Sequence, residues 1–553
     1  MPHPSESSVA RLRVLLSALA AFALTGCGLA AWVTSLGWKA NTWQGSDNIF
    51  YHLFATYDCW HLAFFAVICL ALAWVLEREK QMRVPSQWPR LSIRWLAFGV
   101  FAIAALGTHL VFFDYPFAMD EFYADFQASI FAEGKLWAVP PAEWRPMTYA
   151  ATPMLANLQP ENGAWTANYL PVYALLRVPF WLIGCSWLLN PLLAAGTILL
   201  LAKIVRTIWP TNSDLPLIGC LLLASSPQFL ITSMTAYAMP AHVFFNLLWL
   251  VVFVRNDRWS FWIPPWIGVC AMGLHQPNIH FFFVAPFILR LLWNRRWAIS
   301  AYFLGVYAAG SLFWIQFIQW RTPVFKATAG TPIYEQFTKY FELPSPAHLR
   351  DQLIGLTQIV AWNNCALILL AAAGLFAWKK SSPVIADLLA GMILALGCTL
   401  LFKENQGHGW GNRYFYSYIG SFVLIAVAGF EHFRAEFQPY HWRLLGAVSA
   451  MAFCVQFPLQ VWGARRVVHP FAATRDYLES RPVESVVINT NRIWYGQDLV
   501  RNAPALAGHP KVFFLSRLRK RQIAFLEQRN SYEVVKEEDL AGFGITPRIM
   551  QPK

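Results

Sequence analysis

The sequence predicts an α-helical polytopic membrane protein of about thirteen transmembrane helices, closed by a small α/β domain at its C-terminal end. Three observations predict it. Of 553 residues, 57% are hydrophobic and 13% charged, where soluble domains carry roughly 25% charged residues. Apolar runs approaching the roughly 20 residues that span a bilayer recur along most of the chain, and mean hydropathy is +0.40. From about Ala464 the character changes, with rising charge density and short apolar runs.

The runs fall near 11–37, 60–77, 92–113, 172–205, 214–232, 237–254, 259–274, 277–293, 298–317, 353–378, 383–402, 414–430 and 442–462. In the first, Leu24-Thr25-Gly26-Cys27 is similar to a lipoprotein processing site. Apolar residues continue past Cys27 through Val33, which favours an uncleaved first span. Basic residues set the orientation, because cytoplasmic loops are enriched in Lys and Arg. Arg78, Lys80, Arg83, Arg90 and Arg94 follow the second run; Lys203 and Arg206, Arg255 and Arg258, Arg295 and Arg296, Lys379 and Lys380, and Arg434 and Arg443 follow in alternation. The loops 38–59, 114–171, 318–352 and 403–413 and the C-terminal tail are then expected to be extracytoplasmic, with the chain in the inner (plasma) membrane.

The chain thus divides into a membrane domain, 1–463, and a tail domain, 464–553. In the tail, Val486–Ile488, Val512–Leu515 and Tyr532–Val535 read as short strands, and 471–479 and 517–528 as helices. No nucleotide-binding fingerprint occurs there. The net charge of +13 is spread between apolar runs, as topology requires, and not gathered in a patch that would bind nucleic acid. The nine cysteines show no metal spacing; most, such as Cys69, Cys185, Cys220, Cys270, Cys398 and Cys454, lie in apolar segments and read as small buried hydrophobes.

The loop 114–171 carries the polar chemistry. Phe122, Phe126 and Ile130 recur every four residues, so Met119–Glu133 reads as an amphipathic helix lying along the membrane interface, with Gly134 ending it. Asp120 and Glu121 fall at its start. There a carboxylate serves equally as a helix cap complementing the dipole or as a general base, and the two roles coexist. Trp137, Trp144 and Trp165 fit an interfacial belt as well as sugar stacking.

The run Met119-Asp-Glu-Phe-Tyr-Ala-Asp-Phe-Gln-Ala-Ser-Ile-Phe-Ala-Glu-Gly-Lys-Leu136, ahead of Tyr169-Leu-Pro-Val-Tyr173, resembles the first outer loop of bacterial integral-membrane glycosyltransferases of the GT-C superfamily. The protein-mannosyltransferase-like and aminoarabinose-transferase-like branch is the most similar. Gly411-Asn412-Arg413-Tyr414 resembles the Arg-Tyr element that begins a late span in these enzymes. The resemblance implies a GT-C-like fold and an inverting transfer of a sugar from a polyprenyl-phosphate donor to a lipid, glycan or protein acceptor at the outer face of the bilayer. It makes Asp120 the base, with Glu121 its neighbour or understudy. Two departures bear on this transfer of roles: His275 stands near the place of an Arg-Pro element, and Tyr169-Leu170-Pro171 replaces a Tyr-Pro-Pro run.

A sugar or Ser/Thr hydroxyl needs a carboxylate to take its proton, and a departing lipid phosphate needs cations and donors. The segment Lys403–Tyr414 supplies Lys403, His408, Arg413 and Tyr414; Arg413 offers a planar fork for phosphate, while both cations also suit snorkelling helix ends. His275 and His280 flank Pro277, which interrupts a helix, so an interfacial placement or contact with donor or acceptor is favoured over metal binding, and a divalent cation is the one cofactor left open. Lys135 after the loop helix and Arg177 in an apolar run are secondary phosphate candidates. Two rival readings are a transporter or flippase, for which Asp387 is the main intramembrane acid, and a non-catalytic envelope-assembly partner acting through the tail.

Overall fold

The computed structural model describes residues 6–35, 47–78, 91–152, 156–159, 162–321, 343–401, 409–434, 441–490, 496–508, 510–529 and 531–545. It is a multi-pass helical membrane protein. Among the described residues six helices are long and apolar enough to cross a bilayer: Arg13–Ser35, Phe50–Val75, Ile93–Leu110, Ser186–Ile208, Trp297–Phe317 and Leu445–Glu479. Five shorter apolar helices, Val172–Leu182, Met239–Phe253, Pro277–Trp293, Pro383–Thr399 and Ile419–His432, pack among them. Leu24–Cys27 lies within the first helix. The expected single run 172–205 is two helices parted at Gly184, whose φ of 72° ends the first.

Two further runs are broken helices. Leu215–Ala224 turns by 63° into Pro227–Ser233, and Pro346–Ala361 turns by 115° into Cys365–Ala377. Each break is capped by its own sequence. Ser226 Oγ accepts from Phe229 N at 3.3 Å and Asn364 Oδ1 from Leu367 N at 2.6 Å, which satisfies helix-start donors that have no partner one turn back. The breaks also bond to each other, Ser226 Oγ to Asn363 Oδ1 at 2.7 Å and Asn364 Nδ2 to Ser225 Oγ at 2.6 Å. In a medium without water these bonds are what make a bent backbone tolerable. The acid Asp387 is engaged in the same spirit, by Arg290 Nε at 2.5 Å.

Cys365–Ala377 lies directly on Ile419–His432 through Gly374 and Gly429: a Cβ on Gly429 would stand 2.2 Å from the Leu370 carbonyl oxygen, and one on Gly374 2.4 Å from that of Ile425. Small residues at such a crossing let two backbones touch, where lipid supplies no hydrophobic drive to hold helices together.

The tail forms the expected strands. β3 (Ser485–Ile488), β4 (Lys511–Phe514) and β5 (Tyr532–Val535) make a parallel sheet of order β4-β3-β5, with Val486 opposite Val512 and Glu533. β1 (Ala156–Leu158) and β2 (Trp165–Ala167) form an antiparallel pair in the loop 114–171. Two expectations change here. The boundary at 463/464 falls inside the helix Phe457–Glu479, which carries the last span into the tail without a break. The loop helix Met119–Ala132 does not lie with its apolar face on lipid, since Met119, Tyr123, Phe126 and Ile130 share one core with Trp144, Trp165 and the tail residues Val487, Phe513 and Leu526. Trp144 stacks on Phe513 at 5.8 Å and Trp165 Nε1 donates to Pro504 O at 2.5 Å, so these two tryptophans are core, not belt. Cys270 and Cys454 are exposed on the helix surface, contrary to the buried reading.

Gly429→Val forces a side chain into the helix crossing, and overpacking of this kind costs about 2 kcal/mol or more. Thermal unfolding in detergent is expected to show a lowered Tm for this variant, while Gly99→Ala, which meets open space, leaves it unchanged.

Candidate active site

The loop helix starts at Ala118, which has extended backbone angles, so Asp120 is its second residue and not its cap. Glu121 does the capping: its Oε1 accepts from Ala118 N at 3.2 Å, and its Oε2 accepts from Ala236 N at 2.9 Å, stapling the helix start to the turn before Met239–Phe253. Burial pushes the Glu121 carboxyl up to about 7, against the pull of those two N–H donors and Arg501. With both oxygens engaged by backbone, Glu121 supports the loop.

Asp120 turns the other way. Its Oδ2 accepts from Arg413 Nη1 at 2.6 Å and its Oδ1 from the Tyr169 hydroxyl. The two partners come from far along the chain and are themselves held in place. Arg413 begins a helical turn capped by Asn412, whose Oδ1 accepts from Phe415 N at 2.9 Å and whose Nδ2 donates to Gly355 O at 3.0 Å. Gln228 at the first helix break donates to Asn412 O at 2.8 Å. Gly411 takes φ 80°, and a Cβ there would lie 2.8 Å from Gln228 Nε2, so glycine is required for the turn that aims Arg413. The guanidinium lies over the rings of Tyr237 and Tyr414, at 5.6 and 5.7 Å. Burial works against its charge, but Asp120 outweighs burial and holds the Arg413 pKa well above the ordinary value.

Tyr169 carries the chain onward to His275, whose ring stacks on it at 4.4 Å. Burial lowers the His275 imidazole to about 4, so it is neutral at ordinary pH; Asp120 and Arg413 lie close enough to act on it in opposite senses. Burial, and then Asp120, push the Tyr169 hydroxyl up, which keeps it a donor.

The remaining sequence candidates separate. Arg177 grips Asp125 with two bonds, Nε to Oδ1 at 2.7 Å and Nη2 to Oδ2 at 2.8 Å, and donates to the Tyr173 hydroxyl at 3.1 Å. Tyr173 in turn donates to Ala236 O at 2.9 Å, so Arg177 braces the turn that Glu121 holds. Lys135 pairs with Glu133 at 2.7 Å on the surface. Lys403 and His408 lie outside the described residues. His280 is fully used, by Asn246 Oδ1 at 2.8 Å and the Tyr307 hydroxyl at 2.9 Å. Among the described residues no three His, Cys, Asp or Glu side chains gather as ligands for a cation.

The tail adds two residues that no motif announced. Asp498 is buried, which drives its carboxyl well above the usual range, with Asp120 and Glu121 adding to the effect against Arg501. Arg501 donates through Nε to Asp498 O at 2.6 Å and through Nη2 to Phe117 O at 3.1 Å, and it covers the Tyr115 ring at 4.0 Å. Loop, late helix and tail therefore close on one charged pair from one side of the helix bundle.

A small cleft of about 30 Å³ lies alongside Asn412 and Tyr414, the two residues that flank Arg413. It is lined by Met392, Leu396, Thr399 and Tyr418 together with Asn412 and Tyr414, and its surface is mostly apolar.

No family model matches the sequence, and no curated protein does. Among solved structures the chain is similar to ArnT from Cupriavidus metallidurans bound to undecaprenyl phosphate, with a TM-score of 0.53, 12% identity, and 80% of this chain and 89% of that one covered. The apo form of the same protein gives 0.52 and 11% over the same shares. The oligosaccharyltransferase of Archaeoglobus fulgidus in the apo form follows at 0.43 and 14%, covering 75% of this chain and 64% of its own. This chain thus shares its fold with ArnT.

The Glu121 carboxyl gives the site a pH signature. Because its folded value of about 7 exceeds the ordinary 4.5, the folded protein holds a proton that the unfolded chain releases, and stability falls as pH rises through that window. In Glu121→Gln that part of the slope is expected to vanish when Tm is followed from pH 4.5 to 7.5, even though the amide loses one backbone partner and the variant is less stable at the acid end.

Proposed function

We propose that this protein is an inverting glycosyltransferase that moves a sugar from a polyprenyl-phosphate donor to a lipid, glycan or protein acceptor at the extracytoplasmic face of the inner membrane. The observation that carries the reading is the Asp120–Arg413 pair: a base and a phosphate ligand 293 residues apart in sequence meet at 2.6 Å, largely shielded from water, with a small apolar cleft along the residues that flank Arg413.

In this reading the donor phosphate binds Arg413, whose planar fork suits two phosphate oxygens, and the carrier chain runs outward past the apolar side chains of Leu396, Met392 and Tyr418. The phosphate takes over guanidinium bonds that Asp120 holds at rest, which leaves the Asp120 carboxylate free to accept a proton. The acceptor hydroxyl then attacks the anomeric carbon. A new oxygen–carbon bond forms as the carbon–phosphate oxygen bond breaks, the hydroxyl proton passes to Asp120, and polyprenyl phosphate leaves with its charge held by Arg413. One displacement inverts the anomeric carbon. Tyr169 keeps one carboxylate oxygen in place through the exchange. The ArnT structure that shares this fold is bound to undecaprenyl phosphate, which supports a lipid-phosphate donor. Lys403, near Arg413 in sequence, is a second phosphate ligand in this proposal.

Two variants test the reading with purified protein in detergent or liposomes. Asp120→Asn is expected to keep carrier binding while transfer drops by about 10² to 10⁴; full activity in that variant excludes Asp120 as base. Arg413→Lys keeps a charge for Asp120 but loses the fork, and is expected to weaken undecaprenyl phosphate binding about tenfold or more. Unchanged affinity removes the phosphate role.

A further inference from the structure

Two histidines beside this pair are left with nothing to bond. His242 is wholly buried in the first turn of Met239–Phe253, and neither of its ring nitrogens has a hydrogen-bond partner. Both ring nitrogens of His275 are likewise enclosed and unpartnered. His275 and His280 are the electrostatic neighbours of His242. Buried polar nitrogens are almost always bonded in folded proteins, and leaving one unbonded costs about 1–3 kcal/mol. Four at one place is therefore an observation that needs a reason.

His280 shows that packing is not the reason. It stands in the same cluster, equally buried, and both its nitrogens are bonded, by Asn246 and Tyr307. The fold can supply partners to a buried histidine here, and it does so for one of three. The other two belong to the site. His275 stacks on Tyr169, which donates to Asp120. His242 follows the turn in which Ala236 N bonds Glu121 and the Tyr237 ring lies under Arg413.

The chemistry of these groups selects a ligand. His275 is neutral in its buried setting, and a neutral imidazole offers one donor and one acceptor. Two such rings present two donors and two acceptors. A phosphate has only acceptors to offer and an ammonium only donors, so each would leave half of the set unbonded. A hydroxyl donates and accepts at once, so a pair of sugar hydroxyls offers the two donors and two acceptors that complement the set.

The geometry points to His242 and His275 as a subsite for the hydroxyl groups of an uncharged sugar ring, next to the Asp120–Arg413 pair. This rests on the glycosyl-transfer reading above and adds to it the place where the transferred sugar is recognised. Arg413 then holds the carrier phosphate and the two histidines hold the ring beyond it, so the carrier with and without its sugar are told apart by the histidines alone.

The test compares two kinds of probe: undecaprenyl phosphate, and a panel of undecaprenyl-phosphoryl hexoses and pentoses. Binding to the purified full-length protein is measured for His242→Leu, His275→Leu and the corresponding Gln variants, with Tm in detergent as a check on folding. The expected result is that at least one glycosylated probe binds wild type about tenfold or more tightly than the bare carrier. Each Leu variant loses that margin with its affinity for undecaprenyl phosphate unchanged, and each Gln variant, which keeps a donor and an acceptor, restores part of it. If a Leu variant fails to fold, its Gln and Asn counterparts carry the comparison. Equal loss for both kinds of probe, or a wild type that binds every glycosylated probe no better than the bare carrier, overturns the subsite. So does stoichiometric Zn²⁺ uptake that His242→Leu abolishes, which would give the ring nitrogens to a metal. A wild type that binds no undecaprenyl-linked probe at all overturns the donor assignment itself, and is told apart from the other failures by the bare-carrier measurement.

Discussion

A carboxylate and a guanidinium, each largely withdrawn from water, meet between Asp120 and Arg413, and much of the rest exists to let them do so. Removing charges from water costs several kcal/mol per ion, and the loss is recovered only where partners are placed with accuracy. The accuracy is visible in how many elements are committed to it. Glu121 fixes the start of the loop helix on the turn at Ala236; Gly411, Asn412 and Gln228 fix the arginine. Tyr169 takes the second carboxylate oxygen. In the proposed reaction the donor phosphate takes the place of Asp120 on that guanidinium.

The broken helices explain how a membrane domain accommodates that polar machinery. Gln228 lies just past one break and reaches the carbonyl of Asn412, while its side-chain oxygen accepts from Asn363 at the other break. Polar backbone exposed by the bends is thereby satisfied inside the protein, where no solvent is available to do it. Bending the helices costs regular hydrogen bonds, yet it brings capping side chains to the depth where Arg413 must be held. The bends and the site are parts of one bonding scheme.

How much of this was legible in the chain depends on the range of the interaction. Local patterns are legible in the sequence: the loop helix runs Met119–Ala132 with Gly134 in the left-handed region, and the tail strands fall on the residues whose β-branched and aromatic runs mark them. The resemblance carried by two short motifs singled out both members of the central pair. What was missed arises only when distant segments fold together. Arg177 looked exposed to function because it stood alone in an apolar run, but its partner Asp125 is 52 residues away. Asp498, Arg501 and His242 sit in unremarkable local sequence, and nothing short of the folded chain brings them to the site. The amphipathic stripe of the loop helix was real, and periodicity records that a face is apolar without saying whether lipid or protein covers it.

That last point has a bearing on how such chains can change over time. The tail is joined to the membrane domain by an unbroken helix and by a core built from both, with Phe513 against Trp144, Pro504 receiving Trp165, and Asn502 donating to Ala151 at 3.0 Å. There is no linker at which one module ends. Exchange of tails between chains of this fold, by recombination or by design, therefore succeeds only if residues 114–171 travel with the tail as its matching half. The heritable unit is a discontinuous one, two stretches of sequence separated by most of the membrane domain.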